Sequence, residues 1–234
     1  MLKKWGIISV MLLSSLSAGT YAANDDLSEL RDTNPDEWQL VKNDARRDIK
    51  TYSKREDGKR IRSFKVDMIV DAPLEAVARL HFDYENYPRW YFKARQSRLL
   101  KKVSPTELYY YQVFSAPYGL PDRDVILHNV IEPYTPQKGF LRFNITAVPN
   151  FMPEQPTLVR ILAMNMTVTF TPLGGGKTRL ESEGYLDPGG LAPAWATNYV
   201  QRNAPYAVML GVQRMVQSDD YLNSKLPMPF KYKE

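Results

Sequence analysis

The sequence predicts an α+β fold: a long antiparallel sheet with helices gathered at its ends. Three observations carry that prediction. Segments that alternate apolar and polar residues follow one another from Ile49 to Leu186, with turn signals between them. Helical patterns are confined to the start of the domain, the stretch after Asp71, and the region from about Pro193 to Leu222. Strands in succession, with helices at the ends, exclude alternating βαβ winding. A strongly twisted sheet of this kind can wrap one long helix and leave a cavity between them if the curve is deep.

The first residues read as an export signal. Lys3 and Lys4 form a basic start, Trp5 to Leu16 is apolar and uncharged, and Thr20 and Ala22 place small residues at a cleavage site. The apolar run is shorter than the roughly 20 residues that span a bilayer, which favours a cleaved signal peptide over residues 1–22 rather than an uncleaved anchor. The chain is then expected in the periplasm, with secretion as the second choice. Residues 23–34 are expected to be a flexible segment, 35–222 one domain, and 223–234 a tail. Cleavage removes Lys3 and Lys4, lowering the formal charge from +5 to +3, too little to argue for nucleic acid. The absence of cysteine excludes a disulfide framework and thiolate chemistry.

Element by element, Asn34-Pro35-Asp36-Glu37 looks like a helix start, with Trp38, Leu40 and Val41 as its apolar face. Ile49 to Lys54 leads through an Asp57-Gly58 turn into a long strand, where Phe64, Val66, Met68 and Val70 alternate with polar residues. Asp71-Ala72-Pro73 opens a second helix with Leu74, Val77, Ala78 and Leu80 inside. An aromatic, turn-rich connector follows from Asp83 to Trp90. Strands are then expected over Leu108 to Phe114, Val125 to Ile131, Phe140 to Val148 and Arg160 to Thr171. Gly174-Gly175-Gly176 turns the chain into a last strand, Thr178 to Leu186. Asp187-Pro188-Gly189-Gly190 breaks the sheet, and Pro205 is expected to kink or split the final helix.

Motifs with chemistry are few. Gly174-Gly175-Gly176-Lys177-Thr178 ends like a phosphate-binding loop. The required earlier glycine is Thr171, however, and a strand follows instead of a helix, so it reads as a hairpin turn. Asn144-Ile145-Thr146 and Asn165-Met166-Thr167 match the glycosylation pattern but sit inside expected strands. His81 and His128 lack companions for a metal set. Asp122 and Asp124 suit a turn, and Glu181 and Glu183 share a face expected toward solvent. The basic stretch Arg46 to Lys65 reads as a solvated hairpin or as a contact for an anionic membrane. No nucleophile, base and orienting group can be assembled from the sequence, and neither a metal nor a cofactor is implied.

Four local patterns resemble the START family of lipid-transfer domains. They are Pro121-Asp122-Arg123-Asp124-Val125; Met152-Pro153-Glu154-Gln155 with Val159-Arg160; Asp187-Pro188-Gly189-Gly190-Leu191-Ala192-Pro193-Ala194-Trp195; and Pro73-Leu74-Glu75-Ala76-Val77 through Trp90. The third is the most specific, and together they span about residues 35 to 222. The resemblance implies a helix-grip fold, a curved antiparallel sheet around the C-terminal helix, with a tunnel for one lipid or sterol-like molecule. It implies a monomeric, non-catalytic carrier that touches membranes transiently and moves its ligand between them. The alternative is an enzyme of the wider superfamily, cyclase- or aromatase-like, with Arg123, His128 or Asp124 as acid–base groups.

Ligand contacts implied by the resemblance and by strand alternation are Arg123, Val125, Leu127 and Asn129 on one strand, and Tyr110, Gln112 and Phe114 on its neighbour. Met164, Met166 and Val168 add apolar wall, and Tyr199, Met209 and Val212 come from the lid helix. Steroid-binding members carry a buried acid and arginine near the positions of Tyr110 and Asn129. Two neutral polar groups here avoid several kcal/mol of desolvation per buried ion and leave the ligand's polar end open.

Overall fold

The structure, a computed structural model, describes residues 36–224, 228, 230 and 231. The expected signal sequence, the segment over 23–34 and the capping pair Asn34-Pro35 lie outside them. The strands are β1 (Gln39–Asp44), β2 (Ile49–Lys54), β3 (Ser63–Val70), β4 (Ala94–Ser104), β5 (Glu107–Phe114), β6 (Arg123–Glu132), β7 (Leu141–Ala147), β8 (Val159–Arg160), β9 (Ala163–Gly174) and β10 (Lys177–Asp187). The helices are α1 (Leu74–Phe82), α2 (Ala194–Met215) and α3 (Asp219–Leu222).

One ten-stranded sheet runs in the order β1-β2-β3-β10-β9-β7-β6-β5-β4, with the short β8 pairing parallel to β6. After β3, helix α1 and the connector carry the chain across to the far edge. The meander from β4 then returns until β10 pairs with β3. The α+β architecture and the curved sheet packed on a long C-terminal helix agree with the sequence expectation.

Alternation decides which side chains face inward. In β9, Met164, Met166, Val168 and Phe170 are buried, whereas Ala163 and Asn165 are exposed. Helix α1 buries Leu74, Val77, Ala78, Leu80 and His81 against the sheet, each large apolar side chain contributing about 1.5–3 kcal/mol. The Asp57-Gly58 turn holds, with Gly58 at φ +76° between β2 and β3.

Four expectations are corrected. The helix expected after Asn34 is strand β1, paired to β2 through a turn at Asp44–Arg47. An isolated helix that short is marginal, and Leu40 and Val41 are half-exposed, so nothing holds them in a helical face. The strand expected from Arg160 to Thr171 is broken at Ile161–Leu162. Arg160 is drawn sideways onto Asp124, and Leu162 is exposed. Strand β4 has no counterpart among the expected elements. Finally, α2 runs unbroken through Pro205, and the helical region divides instead at 216–218.

Anchors on both sides of Pro205 explain the unbroken helix. Gln201 donates to the Arg62 carbonyl (2.9 Å), Tyr206 to Asp44 Oδ2 (2.6 Å), Gln213 to the Arg47 carbonyl (2.7 Å) and Gln217 to the Asp71 carbonyl (2.7 Å). Gly211 lets α2 lie directly on the connector. A Cβ there would penetrate the Trp90 carbonyl oxygen.

Candidate functional site: an apolar cavity under the C-terminal helix

Between the concave face of the sheet and α2 lies a cavity of about 220 Å³. Its floor is apolar strand surface: Val66 of β3, Phe143 and Ile145 of β7, and Met164, Met166 and Val168 of β9. Its roof comes from α2. Ala196, Val200, Ala204 and Val208 repeat every fourth residue, beside a second row of Thr197, Gln201, Pro205 and Met209. Residues four apart stack on one helix face, so one stripe faces the sheet. Its small members keep the roof away from the floor.

Aromatic residues of the connector close the inner end. The ring of Tyr84 lies 4.7 Å from that of Tyr110, Tyr87 lies 6.1 Å from Tyr110, and Tyr91 stacks parallel to Tyr87 at 5.8 Å. Trp90 packs edge-on against Tyr87 at 4.9 Å. Burial pushes the Tyr91 hydroxyl up to about 12, so this end is uncharged at any ordinary pH.

The register places the expected residues. Tyr110 pairs with Leu127, Gln112 with Val125 and Phe114 with Arg123, so these side chains share the concave face. Of the sequence candidates, Tyr110, Gln112, Phe114, Arg123, Met164, Met166, Val168 and Met209 line the cavity. Val125, Leu127 and Asn129 point the same way but do not line it; all three are fully buried in the core. Asn129 donates to the Tyr84 hydroxyl (3.1 Å). Val212 sits one turn past the last lining residue and is fully buried in the core. Tyr199 lies off the α2 stripe, its ring 6.4 Å from those of Phe92 and Tyr118.

Several wall residues escaped the sequence reading. The α2 stripe was legible as a fourfold repeat of small and apolar residues. Trp90 and Tyr91 stood out as aromatics that also suited an ordinary core. His81 carried no signal. It lines the cavity, donates from Nδ1 to the Val77 carbonyl (2.8 Å), and packs edge-on against Phe170 at 4.7 Å. Burial holds its pKa down at about 4, partly offset by the Val77 bond, so the ring is neutral near pH 7 with Nε2 as its acceptor.

The acid–base groups considered from sequence do not converge. Asp124 is on the convex face, buried and bound by Arg160 and by the Tyr111 hydroxyl (3.1 Å). His128 is also on that face, stacked on Tyr109 at 4.5 Å and bonded to Glu107 (3.0 Å). Only Arg123 of the three reaches the cavity. Asp122 does serve the turn, accepting from the Ala116 N–H (3.0 Å) and pairing with Arg95. Among the described residues no cluster of three or more His, Cys, Asp or Glu side chains could hold a metal ion.

With this geometry in hand, comparison with solved structures is decisive for the fold. A STAR-related lipid transfer protein from Xanthomonas axonopodis superposes with a TM-score of 0.71 at 25% identity, covering 78% of this chain and 100% of that one. This is a START fold. Human StAR-related lipid transfer protein 5 shares it at a TM-score of 0.62 and 18% identity, over 83% of this chain and 92% of that one. Human STARD10 does so at 0.67 and 20%, over 82% and 77%. In sequence, an uncharacterised protein of Pseudomonas aeruginosa is 22% identical over 208 residues, 89% of this chain and 96% of that protein. No family model matches the chain. A START fold with a largely apolar cavity between sheet and helix suggests binding of a hydrophobic ligand.

Proposed function

We propose that this chain binds one lipid-like molecule in the cavity and carries it between membranes across the periplasm, without chemistry on the ligand. The observation that carries this reading is the largely apolar cavity between the β9 methionines and the α2 stripe. Transfer of a ligand's apolar body into it contributes about 0.8 kcal/mol for each buried methylene. Ten methylenes then supply about 8 kcal/mol on the same scale, enough for tight binding without a charged contact.

Two further features support exchange with a membrane. At about 220 Å³ the cavity is smaller than the roughly 300–1,000 Å³ typical of ligand pockets, so a lipid of full length needs the walls to give, with α2 as the element that lifts. Gly189 and Gly190, at φ +69° and +57°, turn the chain from β10 toward the helix, with Gly189 packed on the Arg160 carbonyl where a side chain would not fit. Beside the lining residues Leu120, Pro188 and Ala192, three large side chains face outward: Tyr118 (82% exposed), Leu191 (99%) and Trp195 (48%). The Tyr118 and Trp195 rings touch edge-on at 5.4 Å. An exposed apolar tip with aromatics suits the bilayer interface.

The test is transfer of a fluorescent phospholipid or fatty acid between donor and acceptor liposomes. The wild-type chain is expected to accelerate transfer in proportion to its concentration. Met166→Trp, which fills the floor, is expected to abolish that acceleration while remaining folded. Equal transfer by a well-folded Met166→Trp protein would contradict the reading.

A further inference from the structure

Polar side chains interrupt the apolar lining, and two of them, Arg123 of β6 and Gln112 of β5, present hydrogen-bond donors to the cavity. Arg123 is 8% exposed and lines the cavity. Among the described residues its one hydrogen bond runs from Nη1 to the Pro121 carbonyl. Among the described residues no carboxylate lies within ion-pairing distance of it. The adjacent acids are engaged elsewhere, Asp122 with Arg95 and Asp124 with Arg160. A guanidinium withdrawn from water without a counter-charge is costly. Burial accordingly pulls the Arg123 pKa below its ordinary value, with Asp122 opposing, although the group stays charged.

Gln112 supplies the second donor. It is 2% exposed, lines the same cavity, and its Nε2 has no hydrogen-bond partner among the described residues. The register sets the two together. Phe114 pairs with Arg123 and Gln112 with Val125, so Gln112 is the diagonal neighbour of Arg123 on the concave face. Diagonal neighbours lie about 7–8 Å apart, within joint reach of two long side chains. Lys93, exposed at the rim, adds positive charge at the same end.

We propose that the ligand is an amphiphile with an oxyanion head, a carboxylate or a phosphate, seated between Arg123 and Gln112 with its chain running over the β9 methionines. The proposal rests on the cavity reading given above. A carboxylate or phosphate oxygen can take charge-assisted bonds from the guanidinium and satisfy the Gln112 amide at once. A neutral ester or alcohol leaves the buried charge uncompensated.

The test uses three probes of equal chain length with the purified, delipidated chain: palmitate, hexadecyl phosphate and hexadecanol, each displacing a fluorescent fatty-acid analogue. At least one anionic probe is expected to bind ten times or more tighter than hexadecanol, and the tighter of the two identifies the head. Arg123→Gln is expected to remove that preference, with its circular dichroism spectrum and thermal melt verifying its fold. Gln112→Leu, a change of similar size, is expected to cut the preference severalfold. Anionic probes binding no tighter than hexadecanol would overturn the proposal alone, as would a preference that survives Arg123→Gln. A protein that takes up none of the three probes would overturn the cavity reading with it.

Discussion

Asp124 and Arg160 meet in a bidentate ion pair beneath the sheet, Nε to Oδ1 and Nη2 to Oδ2 both at 2.9 Å, with both residues buried. The same guanidinium donates to the carbonyls of Pro149 (2.6 Å), Met152 (3.1 Å) and Pro153 (3.0 Å). One side chain therefore fastens the loop after β7 and positions β8 against β6. Asp124→Asn or Arg160→Leu strands the remaining partner, and a buried pair broken on one side costs about 3–5 kcal/mol. Urea denaturation is expected to show a loss of that size, with ligand affinity changed little in the folded fraction, because the pair faces away from the cavity.

Helix α2 approaches the connector so closely at Gly211 that a methyl group would overlap the Trp90 carbonyl. Gly211→Ala should destabilise the protein by about 1–3 kcal/mol through overpacking. It should also raise the rate of ligand release, since the helix is pushed off its seat. Thermal melts and stopped-flow release of a fluorescent fatty acid measure the two effects separately.

Tyr206, with its hydroxyl on Asp44, ties the middle of α2 to the edge strand β1. Tyr206→Phe removes that bond and keeps the packing. Amide hydrogen exchange is expected to quicken over α2 and β1 and to stay unchanged in β5 and β6.

His81 gives a pH signature. Its folded pKa near 4 lies below the ordinary value of 6.5, so the unfolded chain binds a proton that the folded chain does not. The stabilisation is complete above pH 6.5 and declines as pH falls toward 4, by about 3 kcal/mol in all. Carboxylates add their own slope below pH 5. The window from 6.5 to 5 therefore isolates the histidine, and the slope there should vanish in His81→Gln.

The central strands and the floor of the cavity were legible because each carries one dry face. Met164, Met166 and Val168, like Tyr110, Gln112 and Phe114, declared themselves by period-two alternation. Both edge strands were not legible, for a shared reason. In β1 and β4 nearly every residue is exposed or half-exposed, and β4 carries Arg95, Arg98, Lys101 and Lys102 with three register shifts against β5. Charge and bulges are how an edge resists further pairing, and they erase the alternation that marks a strand. At the site, alternation gave the correct face of β6 but not its depth. Whether Val125 and Leu127 touch the cavity depends on what packs over them in the folded chain, which no local pattern reports. The same holds for Asp124 and Arg160, whose pairing exists only in the folded chain.

Whether the space under α2 holds one hydrophobic molecule is tested by native mass spectrometry of the chain purified from its own cells, with lipid extraction of the same sample. A stoichiometric adduct is expected, identified by extraction as an amphiphile and absent from Met166→Trp prepared in parallel. A well-folded wild-type protein that carries no adduct, and takes none up from liposomes, would contradict the cavity reading.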